Sequence, residues 1–312
     1  MASAIISRRS FIKDAAPLAA VITVPRLGLA HTIGMRLEWQ EFKQSEHYGN
    51  FINGIRAMRA NSKQTNAASW RYWVNVHVNY CPHGIAYFLA WHRGYLFHFE
   101  RQLRLASGDP QMVLPYWNYY KDPRIPPEFL DSAGNNPLYV QRAGTSVYNA
   151  LDLSPFASTV YNFQRGTSNA FETRIESAPH NPVHNLIGNQ MATMQSPLDP
   201  TFYLHHANID RLWHAWSLPS GKGTPYTTNP YSSSSSNPYW SGSFTYAPGL
   251  SLPRYQAYTP SWLGTSSSNN TMPSSLPPQA QAQATPLKLV QAQMDNILNR
   301  PPATPFAATA GR

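Results

Sequence analysis

The chain is short of cysteine, of charge and of long apolar runs. Cys81 is the one cysteine in 312 residues, which excludes an internal disulfide framework. No apolar run approaches the roughly 20 residues of a membrane-spanning helix, so stable membrane insertion of the mature chain through such a helix is excluded. Charged residues make up 12% of the chain, and the formal net charge is +9. Lys and Arg are scattered, with neither a polybasic run nor a basic helix face. That argues against a nucleic-acid partner and for a basic soluble protein. No internal repeat is present beyond a loose echo between two histidine-bearing regions.

What is present begins at the N-terminus. Ser7-Arg8-Arg9-Ser10-Phe11-Ile12-Lys13 has the pattern of a twin-arginine export signal. A modestly apolar stretch from Ala15 to Val24 follows, then small residues at Gly28-Leu29-Ala30. Residues 1–30 are therefore read as a signal peptide, with a mature chain starting near His31 and ending up periplasmic or secreted. An ordinary amphipathic N-terminal helix is the plainer alternative.

Apolar spacing predicts helices over Met35–Ala60, Ser69–Val78, Ile85–Ala106 and His180–Leu186. A last clear helix opens at Asp199-Pro200 and runs through Leu212 to Trp216, with Pro200 suited to a first helical turn. Residues 122–177 read as irregular surface with short helices. Past Pro219 the composition turns Pro/Ser-rich, with a polyserine run at Ser232–Ser236. Aromatics from Tyr239 to Trp262 suit short strands or turns, Leu287–Leu298 suits one amphipathic helix, and the end reads as disordered. The domain boundaries expected are 1–30, 31–218 and 219–312. The last segment is read as a candidate partial lid or oligomer contact.

Six histidines fall into two groups of three: His77, His83 and His92, then His180, His184 and His206. Three imidazoles per metal, with no carboxylate or thiolate, favour copper over magnesium, calcium or an iron–sulfur cluster. Two such triads in one domain suggest a two-metal centre, with ions roughly 3.5–4 Å apart. His180 and His184 lie four apart on a predicted helix, which puts both rings on one face. A zinc protease would place Glu after the first of that pair, whereas this chain has Asn181. Taken alone, the pair is equally compatible with surface or capping histidines. His205 is expected to point away from the metal into supporting hydrogen bonds. His47, His98 and His214 read as ordinary satisfied side chains.

His83, Trp91-His92-Arg93 and Phe99-Glu100, together with the long string Asp199-Pro200-Thr201-Phe202-Tyr203-Leu204-His205-His206-Ala207-Asn208-Ile209-Asp210, resemble the tyrosinase and polyphenol oxidase family of type-3 copper proteins. The resemblance spans about Met35 to Trp216. It implies a mainly α fold, a four-helix bundle around a dinuclear copper site with irregular loops and few short strands. It also implies two copper ions, CuA on His77, His83 and His92, and CuB on His180, His184 and His206. The implied partners are small phenolic substrates and dioxygen. A homo-oligomer and a copper-loading helper protein stay open.

The implied chemistry is ortho-hydroxylation of monophenols and oxidation of ortho-diphenols to ortho-quinones. Catechol oxidase, ortho-aminophenol oxidase and a non-enzymatic dioxygen carrier share the ligands and remain alternatives. Cys81-Pro82-His83 resembles an arrangement that some relatives convert to a Cys–His thioether, and a buried free thiol is the other reading. Glu176 and Asn181 match a family pair that holds a water to take the phenol proton; both also suit structural roles as caps. Phe202 is expected to pack on the CuB rings and Asp210 to support His206 from one turn away. Thr193 falls where some plant relatives carry a bulky Phe, and Arg165 or Arg174 could meet a substrate carboxylate.

Overall fold

A computed structural model describes residues 34–218 and 238–278. The expected export signal, the polyserine run and the helix expected at Leu287–Leu298 lie outside the described residues. Among the described residues, no helix is long and apolar enough to cross a membrane.

Helices dominate: α1 (Trp39–Phe42), α2 (His47–Ala60), α3 (Trp70–Tyr80), α4 (Phe88–Ser107), α5 (Phe171–Ile175), α6 (Asn181–Ile187) and α7 (Thr201–Ser217). Among the described residues, four short strands accompany them: β1 (Gly34–Arg36), β2 (Ser243–Ala247), β3 (Leu250–Pro253) and β4 (Thr265–Ser267). The longest helix, α4, packs against both α2 and α7. It stops at Gly108, whose φ of 69° suits a residue without a Cβ. Asp199 caps α7 by accepting the Thr201 N–H at 2.8 Å.

The single helix expected from Met35 to Ala60 is instead a strand, one helical turn and then α2. Long-range pairing overrides local periodicity there: β1 runs parallel to β4, with Met35 opposite Ser266. Arg36, on that strand, is buried and bonds Glu100 at 2.8 Å and Asp210 at 2.7 Å. Arg93 adds a second contact to Asp210 at 2.6 Å and lies 3.5 Å from the Trp213 ring centroid. This buried network of two arginines and two carboxylates ties β1, α4 and α7 together.

The described part of the C-terminal segment belongs to the same core. Tyr239, Trp240, Phe244 and Tyr246 are all buried. The β2–β3 hairpin lies on α4, where the Tyr246 hydroxyl donates to the Trp91 carbonyl at 3.1 Å. A Cβ on Gly94 would meet that hydroxyl oxygen at 1.9 Å, so the helix surface there has to be glycine.

Candidate metal centre

Four helices carry the histidines inward. His77 sits on α3, His83 on the α3–α4 loop, His92 on α4, His184 on α6, His206 on α7, and His180 immediately before α6. The nitrogens of His77, His83 and His92 lie within 4.8 Å of one another, as do those of His180, His184 and His206. His206 Nε2 is 3.4 Å from His180 Nε2 and 3.3 Å from His184 Nε2. The expected four-helix arrangement around paired clusters is therefore what the fold builds.

Four rings are held by their outer nitrogen. Nδ1–H of His77 donates to the Met194 carbonyl, that of His92 to Phe88, that of His184 to Met191, and that of His180 to Asn181 Oδ1, each at 2.8 Å. A carbonyl oxygen can only accept, so Nδ1 keeps the proton and Nε2 presents its lone pair inward. His77 Nε2 is buried with no hydrogen-bond partner. Burial also disfavours the imidazolium form: it brings His83 down to about 3 and His184 to about 4, and holds the other four rings well below their ordinary value. Neutral imidazoles, four of them oriented through Nδ1, are the donor set that copper takes.

Aromatic rings form the dry wall around these donors. Phe202 packs on His206 at 4.2 Å between centroids and on His77 at 5.1 Å, so it touches both triads rather than the second alone. Phe88, which the sequence marks only as part of the apolar stripe of α4, lies 4.7 Å from His92 and 4.5 Å from His180. Its four-residue offset from His92 on a helix was the available signal. The carbonyls of Met191 and Met194 were also unforeseen, since main-chain acceptors leave no mark on side-chain patterns.

Other candidates sit differently from expectation. Asp210 is committed to Arg36 and Arg93 instead of a histidine ring, because two buried guanidiniums hold its carboxylate below the ordinary range against the cost of burial. His205 is fully buried within the second cluster, stacked 5.2 Å from His180, and neither ring nitrogen makes a hydrogen bond of good geometry. The expectation that it points away from the cluster is not what the structure shows. Arg165 pairs with Glu176, and Arg174 lines a separate surface pocket. Glu176 also accepts the Gly84 N–H at 2.8 Å, beside His83.

Cys81 joins the first cluster with Sγ 3.3 Å from His92 Nε2 and 3.7 Å from His83 Nε2. Burial pushes its thiol well up, so it offers a protonated sulfur rather than a thiolate ligand. The cavity at the clusters is small, about 30 Å³, and includes Asn181, Asn185 and Thr193 in its lining. No residue of the described C-terminal segment lines it.

The profile of the tyrosinase family, described as the common central domain of tyrosinase, matches residues 50–152 and 130–218. The chain is 36% identical over 186 residues to tyrosinase HcTyr1 of Hahella sp. (strain CCB-MM4), a match covering 47% of this chain and 40% of that one. It is 35% identical over 187 residues to the tyrosinase of Streptomyces antibioticus, covering 44% of this chain and 67% of that one. The chain thus spans well under two thirds of the Hahella protein. Its fold matches that of the Grenache (Vitis vinifera) polyphenol oxidase with a TM-score of 0.59 at 19% identity, over 84% of this chain and 92% of that one. The two histidine clusters suit a pair of copper ions. Profile, relatives and fold agree with that geometry, and the chain belongs to the tyrosinase family.

Proposed function

We propose that this chain uses dioxygen to hydroxylate monophenols at the ortho position and to oxidise ortho-diphenols to ortho-quinones. His77, His83 and His92 would hold one copper ion, and His180, His184 and His206 the other. When bound, the copper pair supplies the redox chemistry and the binding of dioxygen. The observation that carries the reading is the inward presentation of unprotonated Nε2 atoms from two adjoining triads.

The protein's own part is orientation and proton handling. Backbone carbonyls fix three of the ring planes and the Asn181 amide a fourth, and Phe88 and Phe202 exclude water around them. A phenol has a pKa of about 10, so hydroxylation near neutral pH calls for a base. Glu176 and Asn181 together are proposed to orient a water for that proton. One observation favours catechol oxidase as the second reading. Both Glu176 oxygens are engaged, by Gly84 and Arg165, and Asn181 Oδ1 is engaged by His180. Metal analysis followed by L-tyrosine and catechol assays, with and without added copper, tests the proposal. Copper-dependent turnover of both supports it, catechol alone selects the second reading, and turnover of neither refutes both.

Export through the twin-arginine signal, a periplasmic or secreted location and domain boundaries at 30/31 and 218/219 belong to the same proposal. So does a thioether from Cys81, which the sulfur's position supports at His92 as well as at His83.

A further inference from the structure

Away from the metal centre, an open groove of about 660 Å³ lies along α3, α4 and the hairpin. That volume is within the ~300–1,000 Å³ of small-molecule sites. Arg101 and Arg104 line it, and no described lining residue carries a carboxylate. His98 lines it too; the residue is 7% exposed and its Nε2 is buried without a partner. An unpaired buried nitrogen costs free energy that a bound polar group would recover. The aromatic wall is Tyr72 and Trp73. None of these residues lines the metal cavity.

The same two rings end a file of aromatics that starts at the first triad. Trp91 lies 5.2 Å from His92 and stacks on Tyr95 at 5.3 Å. Tyr95 meets Trp73 at 5.9 Å, and Trp73 meets the half-buried Tyr72 at 5.3 Å. The Tyr95 hydroxyl donates to a main-chain carbonyl, that of Trp73, at 2.8 Å. A carbonyl is too weak a base to take a phenol proton, so Tyr95 can bridge two indoles but is a poor resting place for a radical.

We propose that the groove binds a small anionic aryl reductant, and that Tyr72, Trp73, Tyr95 and Trp91 conduct its electrons to the metal centre. The inference rests on the dicopper reading above. Each of two donor molecules loses one electron and releases one proton to solvent. The two electrons take a cupric pair to a cuprous pair. The groove lies apart from the metal cavity, so a donor held there can deliver electrons without occupying the site at which phenols react.

Hydroquinone sulfonate, an anionic para-diphenol, is the probe. It is mixed without oxygen with copper-loaded chain, quenched, and the cuprous fraction read with a cuprous-selective chelator. Binding is followed separately by calorimetry. Wild type should saturate with donor. Arg101→Gln should raise the half-saturating concentration about threefold, the worth of one exposed charge. Trp73→Phe should keep the binding but slow reduction at saturation by about tenfold or more, as phenyl is harder to oxidise than indole. If Trp73→Phe fails to fold, Tyr72→Phe at the exposed end should show the same split. A wild-type reduction rate in whichever aromatic variant folds, or a wild type that never saturates, overturns the relay. If the chain still turns over catechol in that case, the dicopper reading survives it. A chain that takes up no copper overturns both.

Discussion

His92 lies flat against His206, with ring centroids 4.2 Å apart and planes 14° apart. One ring belongs to the first triad and the other to the second, so this stack joins the two clusters face to face. It is formed where α4 and α7 pack, and it places the helix carrying Trp91-His92-Arg93 directly against the helix carrying His205-His206.

His206 is the vertex of the second cluster, within 3.4 Å of two other Nε2 atoms. His206→Gln should therefore bind about one copper per chain where the unaltered protein binds about two, and catechol turnover should be lost. Elemental analysis of protein purified after copper loading checks this. A variant that still carries the full complement would remove His206 from the ligand set.

Asn181 holds the His180 ring through Nδ1 and also lines the cavity. Asn181→Gly should weaken copper binding by about 10–100-fold, the usual effect of losing a ligand's outer partner. It should also lower monophenol turnover more than diphenol turnover once copper is saturating. Equal losses on the two substrates would leave Asn181 as a ring anchor and no more.

Asp210 balances Arg36 and Arg93 in the core. Asp210→Asn removes the carboxylate and leaves two buried cations underpaired, which should cost about 3–5 kcal/mol. Urea unfolding of the copper-free chain measures it. A loss below about 1 kcal/mol, typical of exposed pairs, would show that the network is solvated.

Burial pushes Glu172 up to about 7 from an ordinary 4.5, against hydrogen bonds from Arg165, Tyr239 and Leu89. Its folded pKa is raised, so the folded chain binds the extra proton between those two values. Stability from this group then falls as pH rises from about 4.5 to 7, by about 3 kcal/mol at most. Glu172→Gln should lack that component. Unfolding at pH 5 and pH 8 compares the two proteins; the same pH slope in both would refute the assignment.

Much of the site was legible because metal ligation demands particular residue types at particular spacings. The pair His180/His184 and the string ending in His206 fall on helices, where a four-residue offset sets a shared face. Legibility failed wherever a partner was remote in sequence. Arg36 looked like part of a helix until β4 paired with its strand. Asp210 looked like support for His206, one turn away, but two arginines from other elements claim its carboxylate.

From residues alone came several individual helices, the histidine sets and the choice of neutral nitrogen donors, because periodicity and ligand chemistry are local properties of the chain; the mainly α class came with the family resemblance. Only the folded chain decided that His206 points its Nε2 at the other two rings while His205 stacks behind, and that Met191 and Met194 supply carbonyls to one ring of each triad. Those outcomes depend on how helices far apart in sequence pack and where their backbones pass. No short-range pattern encodes that.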